Sequence, residues 1–160
     1  MARLKTGALI GCAMQLGASI ATDDNVVIDA FAESGRKLGT AFQVHDDIND
    51  TWSVETEMLC MPPGDILSKK KTLPLVYALQ KADVRKKREL GTMYLKRVLD
   101  PEDVPRVLTV LDEVGAKEYA QSMVRDLWKQ TLVMLEGVLT EGSDIDELKQ
   151  VAEFYIFSSK

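Results

Sequence analysis

Phe42-Gln43-Val44-His45-Asp46-Asp47-Ile48-Asn49-Asp50 packs three carboxylates into one short segment, and further along Gly64-Asp65 leads into Lys69-Lys70-Lys71-Thr72-Leu73-Pro74. On a helix, Asp46 and Asp50 stand one above the other at i, i+4, while Asp47 is turned about 100° away. Gln43 lies three residues before Asp46 on the same face. Mg²⁺ takes one or two carboxylates and completes its shell with water and phosphate oxygens, so acids opposite an amine suit a polyanion held through a divalent cation. Three aspartates near a helix C-terminus also oppose the macrodipole, by about 0.3–1 kcal/mol per exposed charge, which makes a purely solubilising role less comfortable. The only histidine, His45, points away from the Asp46 face and reads as a packing residue. Lys69 and Lys71 read as solvated, Asp65 as a cap or brace of the loop, and the Arg85–Arg88 cluster as a solvated face.

The elements that must position these groups are helical throughout. Apolar residues at Leu4, Ala8, Leu9, Cys12, Ala13, Leu16 and Ile20 have helical spacing over 2–20. Thr22-Asp23-Asp24 offers a turn and an N-cap for a long second helix that carries Phe31, Leu38, Phe42 and the aspartates and runs to about Trp52. Gly35 and Gly39 interrupt it; interior glycines cost about 1 kcal/mol each against alanine, so they imply close helix packing or ligand approach. Residues 53–68 lose periodicity and read as one long loop with a stiff Pro62-Pro63-Gly64 turn. Helices then follow over 75–81, with Pro74 in the first turn, and 83–98; Asp100-Pro101-Glu102 caps another, Gly115 separates it from 116–138, and a last one spans 144–157. Met123, Met134, Phe31 and Trp128 fall on or beside the buried stripes. The fold class is all-α.

At 160 residues, with 46% hydrophobic and 28% charged side chains, the chain can form one domain with a sizeable core. A net charge of −5 excludes the basic face that a nucleic-acid partner needs. Cys12 and Cys60, in unrelated settings, are too few for a disulfide scaffold, so a reducing cytoplasm is the expected home. The first residues imitate a secretory signal, and Leu9-Ile10-Gly11-Cys12 imitates a lipoprotein box, but Gln15 and the glycines break the run and the stretch from Lys5 to Cys12 is short for an apolar signal region. No stretch reaches the length of unbroken apolar residues that spans a bilayer, and no transmembrane segment is expected.

Taken in order, Lys5-Thr6-Gly7-Ala8-Leu9, Phe42-Gln43-x-x-Asp46-Asp47-x-x-Asp50 and Lys70-x-Thr72-Leu73-Pro74 resemble motifs of the trans-polyprenyl diphosphate synthase family, the all-α enzymes that join isoprenoid diphosphates head to tail. Gly115-Ala116 before a long helix is similar to the family's C-terminal layout. The resemblance covers essentially the whole chain but only the C-terminal half of the family, whose members are about twice this long. It implies one helical domain, 1–160, of an antiparallel isoprenoid-synthase bundle without its N-terminal helices. The first aspartate-rich motif is absent. A further lysine that relatives carry shortly before the equivalent of Asp65 is replaced by Cys60 or Met61, and Lys69 occupies a slot that is often glycine.

By resemblance, an allylic prenyl diphosphate ionises with Mg²⁺ assistance and is attacked by isopentenyl diphosphate. Asp46, Asp47 and Asp50 are then metal ligands, Asp46 foremost. Lys5 and Lys70 grip phosphate oxygens as catalytic groups, and Thr6 and Gln43 join them in binding substrate. Partners are expected to be the two diphosphates and either a second copy of the chain or the missing N-terminal half. The isolated chain is expected to turn over poorly. A non-catalytic helical partner, regulatory subunit or remnant of such an enzyme is the alternative reading. A related class I terpene cyclase fragment is a third, which fits the lysine motifs less well.

Overall fold

The structure is a computed structural model and describes residues 1–52, 64–139 and 145–157. No strand occurs among the described residues, and the all-α expectation holds. The expected turn at Pro62-Pro63 and the loop setting of Cys60 and Met61 lie outside the described residues. A π turn, Arg3–Gly7, leads into α1 (Ala8–Ala21); then come α2 (Asn25–Thr51), α3 (Gly64–Leu67), α4 (Leu73–Lys81) and α5 (Val84–Leu95). A single 3₁₀ turn, Pro101–Asp103, precedes α6 (Val104–Glu113), followed by α7 (Ala116–Glu136) and α8 (Asp146–Phe157). The chain forms two compact units, one from residues 1–45 and 123–160 and the other from 46–122.

In the first unit α1 crosses α2 on glycine. A Cβ built on Gly39 would lie 2.7 Å from the Thr6 carbonyl oxygen and 2.9 Å from the Gly7 Cα, and one on Gly35 would lie 2.8 Å from the Gly11 Cα. Only hydrogen fits at these positions, because backbone meets backbone. Of the two purposes read from the glycines, the structure shows the packing one. Around this crossing Ala32, Ala41, Val124, Trp128 and Leu135 are buried, together with Ala152 and Ile156 of α8. The Thr131 hydroxyl donates to the Leu127 carbonyl at 2.9 Å, closing its polarity within α7.

Arg3–Ala21 makes 19 residues of continuous helix with a mean hydropathy of 1.2, long and apolar enough by length and composition to cross a membrane. This differs from the sequence expectation, which counted unbroken apolar runs. Gln15, Ser19 and the glycines interrupt the run without adding charge. The glycine crossing nonetheless ties this helix to α2.

In the second unit Ile66, Ala78, Leu90, Met93, Val107 and Leu111 form the core, and Ala116 at the start of α7 is buried against it. Gly115 has φ +69°, the left-handed conformation that ends α6 and starts α7. The expected restart at Asp100 is present: its backbone N–H donates to the Asp103 carboxylate at 3.2 Å. α3 falls inside the stretch read as loop, because four residues are too short to show periodicity. α5 stops at Leu95, short of the expected 98, where Lys96 turns extended with ψ 149° and sends its ammonium to Asp103, 2.7 Å from Oδ2.

Candidate functional site

In the second unit, the final turns of α2 stand beside the α3–α4 connection. α3 ends in a Schellman turn: the Lys70 N–H reaches back to the Asp65 carbonyl at 3.0 Å and the Lys69 N–H to the Ile66 carbonyl at 2.9 Å. The residue that must go left-handed in this turn is Lys69, with φ +55°. The turn brings Lys70 back over Asp65, and the side chains repeat the contact, with Nζ 2.8 Å from Asp65 Oδ2. Nζ is also 3.1 Å from Asp47 Oδ1. Lys70 is thus clamped between a carboxylate of α3 and one of α2.

The three aspartates of α2 have different surroundings. Asp47 is buried and faces Lys70, while Asp46 and Asp50 are exposed. Their separation follows from the 100° turn per residue. Burial, then the charges of Asp46 and Asp65, push the Asp50 carboxyl above its ordinary range; Lys70 opposes this and Asp47 adds to it, and the net shift is upward. Burial also works against the Lys70 charge, but the hydrogen bonds to Asp65 and Asp47 outweigh it and hold the ammonium above the usual lysine range. Tyr94 of α5, which no sequence pattern singles out, senses the same field. Burial first and the Asp65 charge second raise its phenol to about 12.

In the first unit, the π turn sets the Thr6 hydroxyl 2.7 Å from Gln43 Oε1, to which it donates. This bond joins the start of the first helix to α2. Lys5 is exposed in the same turn, and His45 is half-buried.

Among the described residues no group of three or more His, Cys, Asp or Glu side chains is placed to hold a metal ion. The exposed Asp46 and Asp50 nevertheless fit Mg²⁺, which needs only one or two carboxylates when water and phosphate fill its other positions. Burial first and its carboxylate neighbours second disfavour the Asp50 anion, and a cation relieves the repulsion between them. Asp65 was expected only to brace the loop; it does so and also fixes Lys70.

A family model described as polyprenyl synthetase matches residues 1–111. The short chain isoprenyl diphosphate synthase of Methanothermobacter thermautotrophicus is 34% identical over 153 residues, which are 95% of this chain and 46% of that protein. The geranylfarnesyl diphosphate synthase of Aeropyrum pernix is 31% identical over 157 residues, covering 98% and 48%. Among solved structures, a geranylgeranyl pyrophosphate synthetase from Pyrococcus horikoshii superposes with a TM-score of 0.86 at 30% identity, over 99% of this chain and 48% of that one. A geranylgeranyl pyrophosphate synthase from Corynebacterium glutamicum, complexed with calcium and isoprenyl diphosphate, gives 0.79 at 31% identity, over 97% and 48%. The chain therefore spans about half the length of the relatives it matches.

Proposed function

Because this chain belongs to the polyprenyl synthetase family, we propose that it carries one wall of a prenyl diphosphate synthase site, the wall that takes an allylic diphosphate through Mg²⁺. The observation that carries the reading is the acidic end of α2 set against a lysine that two carboxylates hold in place. Asp46 and Asp50 hold the metal from the exposed face. Asp47 serves the site through Lys70. An ammonium has three N–H donors; Asp65 and Asp47 engage two, and the third is directed to a phosphate oxygen.

Bound Mg²⁺ supplies charge that offsets the negative charge accumulating on a departing diphosphate. Lys70 adds a fixed positive donor to the same end, already oriented before substrate arrives. The resemblance assigns Lys5, Thr6 and Gln43 to polar contacts with substrate, and the Thr6 hydroxyl, donating to Gln43 Oε1, holds two of them together. Isopentenyl diphosphate is the co-substrate by the same resemblance.

Calorimetric titration of the chain with Mg²⁺ and farnesyl diphosphate tests this reading. Wild type is expected to bind only when both are present, and Asp46→Ala to weaken binding by about tenfold or more, since even a residue that only supports a metal ligand is typically worth about 10–100-fold. An unchanged titration for Asp46→Ala removes the assignment. A non-catalytic partner is the second reading, favoured by one observation, that the chain spans about half its relatives' length.

A further inference from the structure

Charge is segregated along this chain. Residues 81–98 hold seven Lys and Arg side chains against two carboxylates, a local net of +5 in a chain whose total is −5, so the remainder carries −10. α5, in the second unit, sorts these groups by face. Its inner face buries Leu90 and Met93. Both carboxylates are engaged: Asp83 caps the helix by accepting the Lys86 N–H at 2.8 Å, and Glu89 pairs with Arg106 of α6 at 2.7 Å. The Lys86 ammonium is taken up by Glu113 of α6 at 2.9 Å. Arg85, Lys87 and Arg88 are exposed, as are Lys81 at the end of α4 and Arg97 just beyond α5. Lys87 donates to the Gln80 carbonyl at 3.0 Å, which ties the α4–α5 corner together while its charge stays in water. Among the described residues Lys81, Arg85, Arg88 and Arg97 form no ion pair, and α4, which packs beside α5, has no acidic residue. The outer face is not purely charged. Val84, Arg88, Gly91 and Leu95 follow at i, i+4, i+7 and i+11, one line along the helix, and Val84 and Leu95 are 67% and 86% exposed. A Cβ on Gly91 would meet nothing within 4 Å, so the middle of the line is open to a flat surface.

We propose that the outer face of α5, with the α4–α5 corner, docks on an anionic phospholipid bilayer, its cations against the headgroups and Val84 and Leu95 against the acyl boundary. Charge complementarity selects this occupant. A cluster of Lys and Arg on a helix face is what an anionic leaflet attracts, each residue near the surface strengthening binding by roughly fivefold. Only carboxylates within about 8 Å oppose this at physiological ionic strength; α4 has none, and those of α5 and its cap are already engaged. The exposed valine and leucine add the shallow apolar contact that separates a bilayer surface from a simple polyanion. Nucleic acid fits less well, since the exposed side chains of α5 include no aromatic ring for a base to stack on. Nor does α1 compete for this role. Its Leu9, Leu16 and Ile20 are 71%, 61% and 89% exposed, but residues 6–21 contain no charged side chain with which to select anionic over neutral lipid. The inference stands apart from the reaction proposed above.

Flotation of the full chain with lipid vesicles tests it. Binding to phosphatidylcholine–phosphatidylglycerol vesicles is expected to be at least about tenfold tighter than to phosphatidylcholine alone, and to weaken steeply as salt is raised. Arg85→Gln combined with Arg88→Gln is expected to weaken it by about twenty-fivefold while circular dichroism and the thermal midpoint hold, because neither side chain has an ion pair to lose. Leu16→Glu on α1 is expected to leave the preference for anionic vesicles unchanged. Leu95→Trp reports the contact directly, through a blue-shifted increment over the Trp52 and Trp128 emission that anionic vesicles produce and neutral ones do not. Any of four results overturns the proposal: equal binding to both vesicles, binding indifferent to the arginine pair, no Leu95→Trp response, or a higher affinity for oligouridylate or for a second copy of the chain than for the anionic vesicles.

Discussion

Lys69 occupies a backbone position that L side chains adopt at a penalty of roughly 1–2 kcal/mol, and it does so because the Schellman turn beneath Lys70 requires a left-handed residue there. Lys69→Gly is therefore expected to stabilise the chain by about 0.5–1 kcal/mol net of the added backbone freedom, visible as a thermal midpoint higher by about 1–4 °C. A lower midpoint would mean that the Lys69 ammonium, bonded to the Lys96 carbonyl, matters more than its backbone. At this scale the sequence was legible where helical geometry alone decides. The spacing of Asp46, Asp47 and Asp50 already separated Asp47 from the other two, and the structure buries it. What spacing could not reveal was the partner across the turn, since Asp65 and Lys70 meet through a backbone motif that has no hydrophobic period. Tyr94 was invisible for the same reason: its influence comes through space from another helix.

Helices pack closely where side chains shrink, and two glycines with different neighbours make the point measurable. Gly39→Ala gains helix propensity worth about 1 kcal/mol but drives its Cβ into the Thr6 carbonyl, so a net loss of about 1–3 kcal/mol is expected. Gly91 of α5 has no atom within 4 Å of the same position, and Gly91→Ala should gain about 0.5–1 kcal/mol. Urea denaturation of the two variants checks both signs. The cap between α5 and α6 is electrostatic. The Lys96 hydrogen bond is the main cause holding the Asp103 carboxyl below its ordinary range, and the Lys96 ammonium is correspondingly raised. A depressed carboxyl contributes stability that is present above its unfolded value, about 3.9, and is lost as pH falls through its folded value. Lys96→Met should accordingly lower the midpoint at pH 6 and flatten its decline on acidification; an equally steep decline would remove this pair from the acid response. The long helices and the Asp100 cap could be read from pattern, while α3 and the early end of α5 could not, because a single turn and a lysine-to-aspartate tether leave periodicity unchanged.

The whole chain matches about half of each relative. Incubated alone with labelled isopentenyl diphosphate, farnesyl diphosphate and Mg²⁺, the verified 160-residue species is expected to turn over at least about a thousandfold more slowly than typical enzymes, whose kcat is near 10 s⁻¹. Robust product would show that one wall suffices. All-α architecture and family were legible at this scale because ordered motifs stand out even in a chain that spans about half its relatives' length. The bare face of α1 was harder to see, since an apolar helix reads alike whether its second side is covered or open. That face has a consequence for the protein's life in a cell. An uncharged stripe left in water is what chaperones grip and proteases clear. The chain's abundance should then follow the supply of whatever shields it, so that overproducing it alone raises turnover more than yield.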